Sequence, residues 1–437
     1  MTICIGIRRE DKNRFEKRVP LIPSHVKEII EEHNITVALQ PSTNRIFLDE
    51  DYVQVGATIQ EDLSSCTIVL AIKEIPISFF QENKVYMFFS HTIKGQPDNM
   101  PLLKKLMELR CSLIDYEKIV DDNGQRLILF GQQAGQAGMI DTFWALGRRL
   151  SQEGLENPFS ILRQAYMYSS LVEAKEAFQE LGRIIQKKRL DSSLVPAVCG
   201  FAGYGSVSKG AQELFDILPH EEIAPEDIRK LFMNKTFMCN QLYKVVFEEK
   251  HLVEPVSSEI SFNLQDYYDN PEKYKSKFDI YLPDLTLLSN CIYWAPKYPR
   301  LVTIPFLRNL WNSSSTPRLK VIGDISCDIS GSIECTVHAT SPDNPVFVYD
   351  PIEEKAIDGF RGRGVAVMAI DNLPAEISLE SSISFSQSLK SLIPSLACAD
   401  FSTDFEHCSL SPALKKAVIL YKGELTPDFK YMEKYIQ

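Results

Sequence analysis

A chain of 437 residues, 44% hydrophobic and 24% charged, has the make-up of an ordinary globular protein of roughly two or three domains. Its formal net charge of −11 argues against a nucleic-acid surface, and no apolar run approaches the roughly 18 residues of a membrane span. The ten cysteines and seven histidines are scattered, without a Cys-x-x-Cys pair or a ligand spacing, so reduced thiols in a cytoplasmic protein are expected, and no metal.

Taken in order, residues 2–8 alternate towards a strand and become charged too early for a secretory leader. Pro20 to His33 has helical spacing, with Ser24 placed to cap it. Ile35–Leu39 reads as a strand. Thr67–Ile72 and Val85–Phe89 are continuous apolar strands, of the kind buried on both faces of a parallel sheet. Pro101–Arg110 is a helix opened by proline. Asp121-Asp-Asn-Gly124 is a hairpin tip. Residues 131–190 look helical, and Ser170 with Glu173 forms a capping box ahead of Leu171, Ala174, Phe178, Leu181 and Ile185 on one face.

Val195 to Phe201 is a short apolar strand that passes through Gly203-Tyr204-Gly205 into the helical stretch Lys209–Leu218. Strand, glycine turn and helix open a dinucleotide-binding βαβ unit. Gly203 permits the tight turn, Gly205 lets the backbone approach a pyrophosphate, and the helix offers free N–H groups to that anion. The third small position falls on Ser208, not glycine. Glu221-Glu-Ile223 reads as the second strand, which puts Ala224 where an acidic group would select NAD, with Lys209 and Lys235 as candidates for a 2′-phosphate. Asn312 to Pro317 reads as a loop, Leu319–Ile325 as a later strand, and Gly364–Pro374 as a strand ending in a polar turn.

Ligands of open parallel sheets bind outside the carboxyl ends of the strands. Lys73 follows Thr67–Ile72 with Glu74 beside it, His91 follows Val85–Phe89, and Arg18 precedes the first helix. Lysine and histidine can exchange protons near neutral pH, the lysine if burial or a nearby cation lowers its pKa. An arginine fork suits a carboxylate. Asp328 and Asp371 also stand at strand ends. Taken singly, each of these is more often a solvent-facing or capping residue.

Several stretches together carry a family resemblance. Gly6-Ile-Arg-Arg-Glu10 with Arg18-Val-Pro-Leu-Ile-Pro23 resembles the opening of the alanine dehydrogenase / transhydrogenase N-terminal domain. Ser90-His-Thr-Ile-Lys-Gly-Gln96, Leu113–Lys118, Phe130–Ile140, Gly205–Gln212, Ile325–Glu334 and Ile370–Ala375 resemble the lysine–2-oxoglutarate reductase half of the bifunctional aminoadipic semialdehyde synthases, relatives of the fungal saccharopine dehydrogenases. The resemblance implies an α/β fold of two doubly wound Rossmann-like domains about a cleft, the chain returning to the first domain at its C-terminus. Residues 1–145 plus about 350–437 would form the catalytic domain and 146–349 the dinucleotide-binding domain. It also implies condensation of lysine with 2-oxoglutarate and reduction of the imine to saccharopine. Lys73 and His91 would be the acid–base pair, Arg18 the carboxylate ligand, and Glu74 and Glu117 the residues that tune them. Gly203, Gly205, Ser206, Val207 and Ser208 would hold the pyrophosphate, with Asp328, Asp371 and Leu373 near the nicotinamide. NADP(H) is favoured on family grounds, with NAD(H) the alternative. The chain reads as a stand-alone reductase, with a separate enzyme oxidising saccharopine. Another amino-acid dehydrogenase and a catalytically silent nucleotide-binding protein are the competing readings.

Overall fold

Runs such as Ile68-Val-Leu70 and Val85-Tyr-Met-Phe88 have no polar face, and such strands are stable only when covered on both sides. In the computed structural model, which describes residues 3–314 and 316–436, they lie mid-sheet in the first of two compact units. That unit comprises residues 1–130 and 378–437, and the second comprises 131–377.

The first unit contains β1 (Cys4–Ile7), β2 (Thr36–Leu39), β3 (Thr58–Ile59), β4 (Ile68–Leu70), β5 (Val85–Phe88) and β6 (Ser112–Asp115). The second contains β7 (Val198–Ala202), β8 (His220–Glu222), β9 (Leu242–Phe247), β10 (Val253–Pro255), β11 (Tyr274–Ser276), β12 (Leu287–Asn290), β13 (Val321–Asp324), β14 (Val346–Asp350), β15 (Lys355–Asp358) and β16 (Val365–Met368). The chain returns to the first unit with β17 (Val418–Tyr421) and β18 (Glu424–Leu425). Each unit is built on an eight-stranded sheet, ordered β18-β17-β6-β5-β4-β1-β2-β3 and β15-β14-β16-β13-β12-β7-β9-β8. β6 through β3 run parallel, as do β16 through β8, and antiparallel strands extend one edge of each sheet. Strands separated by covering helices make this a two-domain α/β fold of the doubly wound type.

Several expectations change. The second unit begins at Gly131 rather than near 146, because the helix Gly131–Gln152 packs on β13, β16 and the helix Ser206–Phe215. It ends at Ile377 rather than near 349, because β14, β15 and β16 extend its sheet. Ser24 caps nothing: the first helix is Pro23–His33 with Ile22 at its N-cap. The backbone N–H groups of Val19 and Ile22 donate instead to Ser382 Oγ and Ser386 Oγ, each at 3.0 Å, on the returning helix Ser378–Lys390. Asn312 and Ser313 finish the helix Ile304–Ser313 rather than open a loop, and Ser315 lies outside the described residues, as does Thr2 of the strand expected over 2–8. The Ser170 half of the box forms, its side chain accepting from the Glu173 N–H and capping Leu171–Lys188, while the Glu173 carboxylate accepts from the N–H and hydroxyl of Ser169 at 2.7 and 2.8 Å; the buried face is Leu171, Ala174, Phe178, Leu181 and Ile185 with Gly182. The hairpin at 121–124 closes through a Val120–Arg126 bridge, with Gly124 at φ +77°.

Candidate active site

In the first unit the polar residues gather at the carboxyl ends of β4 and β5. Ile72 and Lys73 follow β4, and their N–H groups donate to the Glu10 carboxylate at 2.6 and 3.1 Å. Burial, with the Glu16 charge adding to it, raises the Glu10 pKa to about 7. Glu16 and Arg18 form a buried bidentate pair at 2.8 and 2.6 Å, and the guanidinium lies 4.4 Å from the centre of the Phe130 ring. Such a fork is the strong form of this contact. Burial lowers the Lys73 pKa, and the Arg18 and Lys12 charges push the same way, which favours the neutral amine relative to an ordinary lysine.

His91 sits at φ +48° in the turn after β5. The turn is pinned by the buried Asp115, which accepts from the Ser90 hydroxyl and from the N–H groups of Ser90 and Glu117 at 3.0 and 2.8 Å. His91 Nδ1 is 2.5 Å from Glu74 Oε1, and Lys12 Nζ donates to Glu74 Oε2 at 2.8 Å. Burial opposes the Glu74 charge, yet the His91 and Lys12 hydrogen bonds hold its pKa down to about 2. A carboxylate on Nδ1 leaves Nε2 to exchange protons with a ligand. Lys73, Glu74, His91 and Arg18 are therefore brought together, with Lys73 in the field of Glu16, Arg18, Lys12 and Glu74. Glu117 faces elsewhere, towards Arg126 at 3.8 Å. Sequence inspection misses Lys12, Glu10 and Glu16, although Glu10 closes the Gly6–Glu10 stretch and Glu16 stands two residues before Arg18.

In the second unit β7 leads into the glycine turn. Gly203 has φ +93°, and its N–H donates to the carbonyl of Phe247, the last residue of β9. A Cβ on Gly205 would meet nothing within 4 Å, so the backbone there is open to a ligand. Gly205 is also the N-cap of Ser206–Phe215, and no side chain caps that helix. Ser206 is exposed, Val207 is partly buried, and Ser208 is buried with its hydroxyl bonded to Gln212 at 2.9 Å. The close approach that a third glycine would allow is made one helix away. A Cβ on Gly135 would fall 1.9 Å from Val207 O, and one on Gly210 would fall 2.1 Å from Gln132 O. A cavity of about 380 Å³ opens beside the turn, lined by Gly203, Tyr204, Gly205, Glu249, Tyr268 and Ile292 among others. An open glycine backbone, an uncapped helix start and an aromatic-walled cavity fit a dinucleotide.

The loops after β13 and β16 carry Asp328 and Asp371, both exposed, and the charges of both add to burial in raising the pKa of the partly buried Cys327 thiol, one residue before Asp328. Leu373 is a core residue packed against Gly138. The carboxylate that orders this end of the sheet is Asp324. It accepts from Asn290 Nδ2 at 2.8 Å and Thr336 Oγ1 at 2.6 Å, and burial lifts its pKa to about 6.

The second strand forms, but not beside the glycine strand. Residues 220–222 form β8 at the sheet edge, and the neighbour of β7 is β9, Leu242–Phe247. Two exposed glutamates cannot displace a buried apolar run from the sheet interior. The position after that strand is therefore held by Glu248 and Glu249, not Ala224. Tyr268 Oη donates to Glu249 Oε1 at 2.7 Å. Lys209 and Lys235 are exposed, and neither lines the cavity. Among the described residues no helix is long and apolar enough to cross a membrane, and no group of three or more His, Cys, Asp or Glu could hold a metal ion.

Two doubly wound units, one with a glycine turn and one with a cluster of titratable residues at its strand ends, make up the two-domain architecture. Residues 6–137 match the family described as alanine dehydrogenase/PNT, N-terminal domain. The fold is that of an L-alanine dehydrogenase structure (TM-score 0.62, 18% identity, all of both chains) and of a transhydrogenase from Sinorhizobium meliloti (TM-score 0.56, 14% identity, 97% of this chain and 100% of that one). Over most of its length the chain is similar to proteins named alpha-aminoadipic semialdehyde synthase and saccharopine dehydrogenase. It is 38% identical to the alpha-aminoadipic semialdehyde synthase of Arabidopsis thaliana over 98% of its length and 41% of that protein, and 35% identical to the mitochondrial enzyme of Mus musculus over 98% and 47%. It is 27% identical to the saccharopine dehydrogenase [NAD(+), L-lysine-forming] of Emericella nidulans over 90% of its length and 91% of that protein. The chain thus spans less than half the length of the synthases it matches.

Proposed function

We propose that the chain is a lysine–2-oxoglutarate reductase, joining the lysine ε-amine to the keto carbon of 2-oxoglutarate and reducing the product to saccharopine, reversibly. The supporting observation is the Lys12–Glu74–His91 chain beside a lysine whose pKa is lowered. Attack of the amine on the keto group forms a carbinolamine, and one proton must leave nitrogen while another reaches the departing hydroxyl. His91 and Lys73 are suited to those two transfers, since a neutral lysine accepts where an imidazolium donates. Glu74 holds the imidazole ring in position. Loss of water leaves an imine. A bound dinucleotide supplies the hydride to its carbon, and a proton reaches nitrogen from the same pair. Arg18 is the cation of the cluster suited to a substrate carboxylate, held in place by Glu16.

Oxidation of reduced dinucleotide by the purified protein should require lysine and 2-oxoglutarate together. Lys73→Met and His91→Gln should each lower kcat by about 100-fold or more, with the dinucleotide Kd little changed. Turnover that ignores either substrate, or full rates in both variants, would remove this reading.

A further inference from the structure

We infer that a cavity at the amino ends of β7, β12, β13 and β16 binds a small organic anion, a carboxylate or phosphate group carried on an apolar body. The cavity measures about 660 Å³, a size typical of small-molecule sites. Leu194, Thr286, Lys320 and Gly364 line it and stand just ahead of those four strands. The glycine turn follows β7 at its other end, so a ligand in this cavity leaves the dinucleotide site free.

The lining charges call for an anion. Arg149, Arg318, Lys320 and Arg363 face the cavity with one carboxylate, Glu153. Arg149 Nε and Lys320 Nζ share that carboxylate, each at 2.8 Å, so two cations have one counter-charge. Arg363 is turned to Asp350 at 3.1 Å and Glu353 at 3.8 Å, and adds no surplus. Arg318 is partly buried. It donates to the carbonyls of Leu194 and Pro196 at 2.8 and 2.5 Å, and its guanidinium lies 4.9 Å from the centre of the Phe232 ring. Its Nε–H is buried without a partner. Asp284 acts on it only at longer range, and among the described residues no carboxylate pairs with it. Taking a cation out of water without a counter-ion is costly, and an anion in the cavity would offset that cost. Trp311, Leu155, Pro317 and Leu319 supply apolar walls for the rest of the ligand.

The test is calorimetric titration of the intact protein with benzoate and with phenyl phosphate. Inorganic phosphate and benzyl alcohol serve as charge-only and apolar-only probes. At least one organic anion should bind about 10-fold or more tightly than either control, and the tighter of the two names the headgroup. Arg318→Gln and Lys320→Gln should each weaken that binding about 10-fold or more. Arg318 also secures two carbonyls, so Arg318→Gln counts only if it still unfolds cooperatively. Lys320→Gln leaves those carbonyl contacts in place and decides the matter by itself. Reduced dinucleotide at saturation should leave the anion Kd unchanged. Binding of neither organic anion, a control that binds as tightly, an affinity unaltered in Lys320→Gln, or displacement by dinucleotide would each overturn the inference.

Discussion

A buried carboxyl group has an energetic cost that its surroundings must offset, and in this protein the carboxyls that sequence inspection overlooks carry much of the geometry. Arg18, Lys73 and His91 stand out in the sequence because strand ends are recognisable. Glu10, Glu16 and Asp324 do not, since what they do depends on backbone N–H groups and side chains brought from distant strands. The pair Asp141 and Glu376 is of the same kind. Both are buried, accepting from the N–H groups of Ala165 at 2.8 Å and Tyr166 at 3.2 Å. Burial raises Asp141 to about 6, and burial together with the Asp141 charge raises Glu376 well above the usual range. One shared proton satisfies both. Native carboxyls that hold protons longer than unfolded ones give stability that is complete below the ordinary carboxyl pKa and falls as pH rises through about 6. Glu376→Gln supplies a permanent donor in place of that proton. Urea unfolding between pH 5 and 8 should then show a stability slope flatter by about 1.4 kcal/mol per pH unit over part of that range. An unaltered slope would show that the pair shares no proton.

At the scale of elements, hydrophobic period and glycine chemistry are local, and they mark β1, β2, β4, β5, β7, β13 and β16, the capped helix Leu171–Lys188 and the glycine turn, while β6, β9, β12, β14 and β17 go unread. The order of strands in a sheet is not local. His220–Glu222 follows the glycine helix in sequence and reads as its partner, but the interior place beside β7 goes to the apolar Leu242–Phe247. That run was the available signal. The glycines of Phe130–Ile140 have a comparable explanation, since helices 131–152 and 206–215 cross with backbones almost touching at Gly135 and Gly210. Gly135→Ala would drive a methyl group into Val207 O, and overpacking of this kind costs about 1–3 kcal/mol, occasionally more. The same variant should weaken dinucleotide binding, because the displaced helix is the one that offers its N-terminus to the pyrophosphate. Chemical denaturation and coenzyme titration measure the two effects. Wild-type values in both would mean that the crossing relaxes freely.

For the whole molecule, the hydrophobic clusters divide as the two units do. One core draws only on residues between Ile5 and Ile128 and between Phe385 and Met432. The other two, one on each face of the second sheet, draw only on residues between Ala137 and Ile377. A unit with its own core and its own sheet can fold alone. Within residues 131–377 the first helix packs on the turn Leu373–Ala375, so the two ends of the segment are secured on one another. Expressed alone, residues 131–377 should unfold cooperatively and bind reduced dinucleotide within about threefold of the full chain's Kd, because the glycine turn, the helix that follows it and the cavity lining all lie within the segment. Turnover should be absent, since Lys73 and His91 are gone. An insoluble or non-cooperative product would show that the second unit needs the first to fold. Residual turnover of lysine with 2-oxoglutarate would move the acid–base chemistry onto the strand ends that carry Asp324, Asp328 and Asp371.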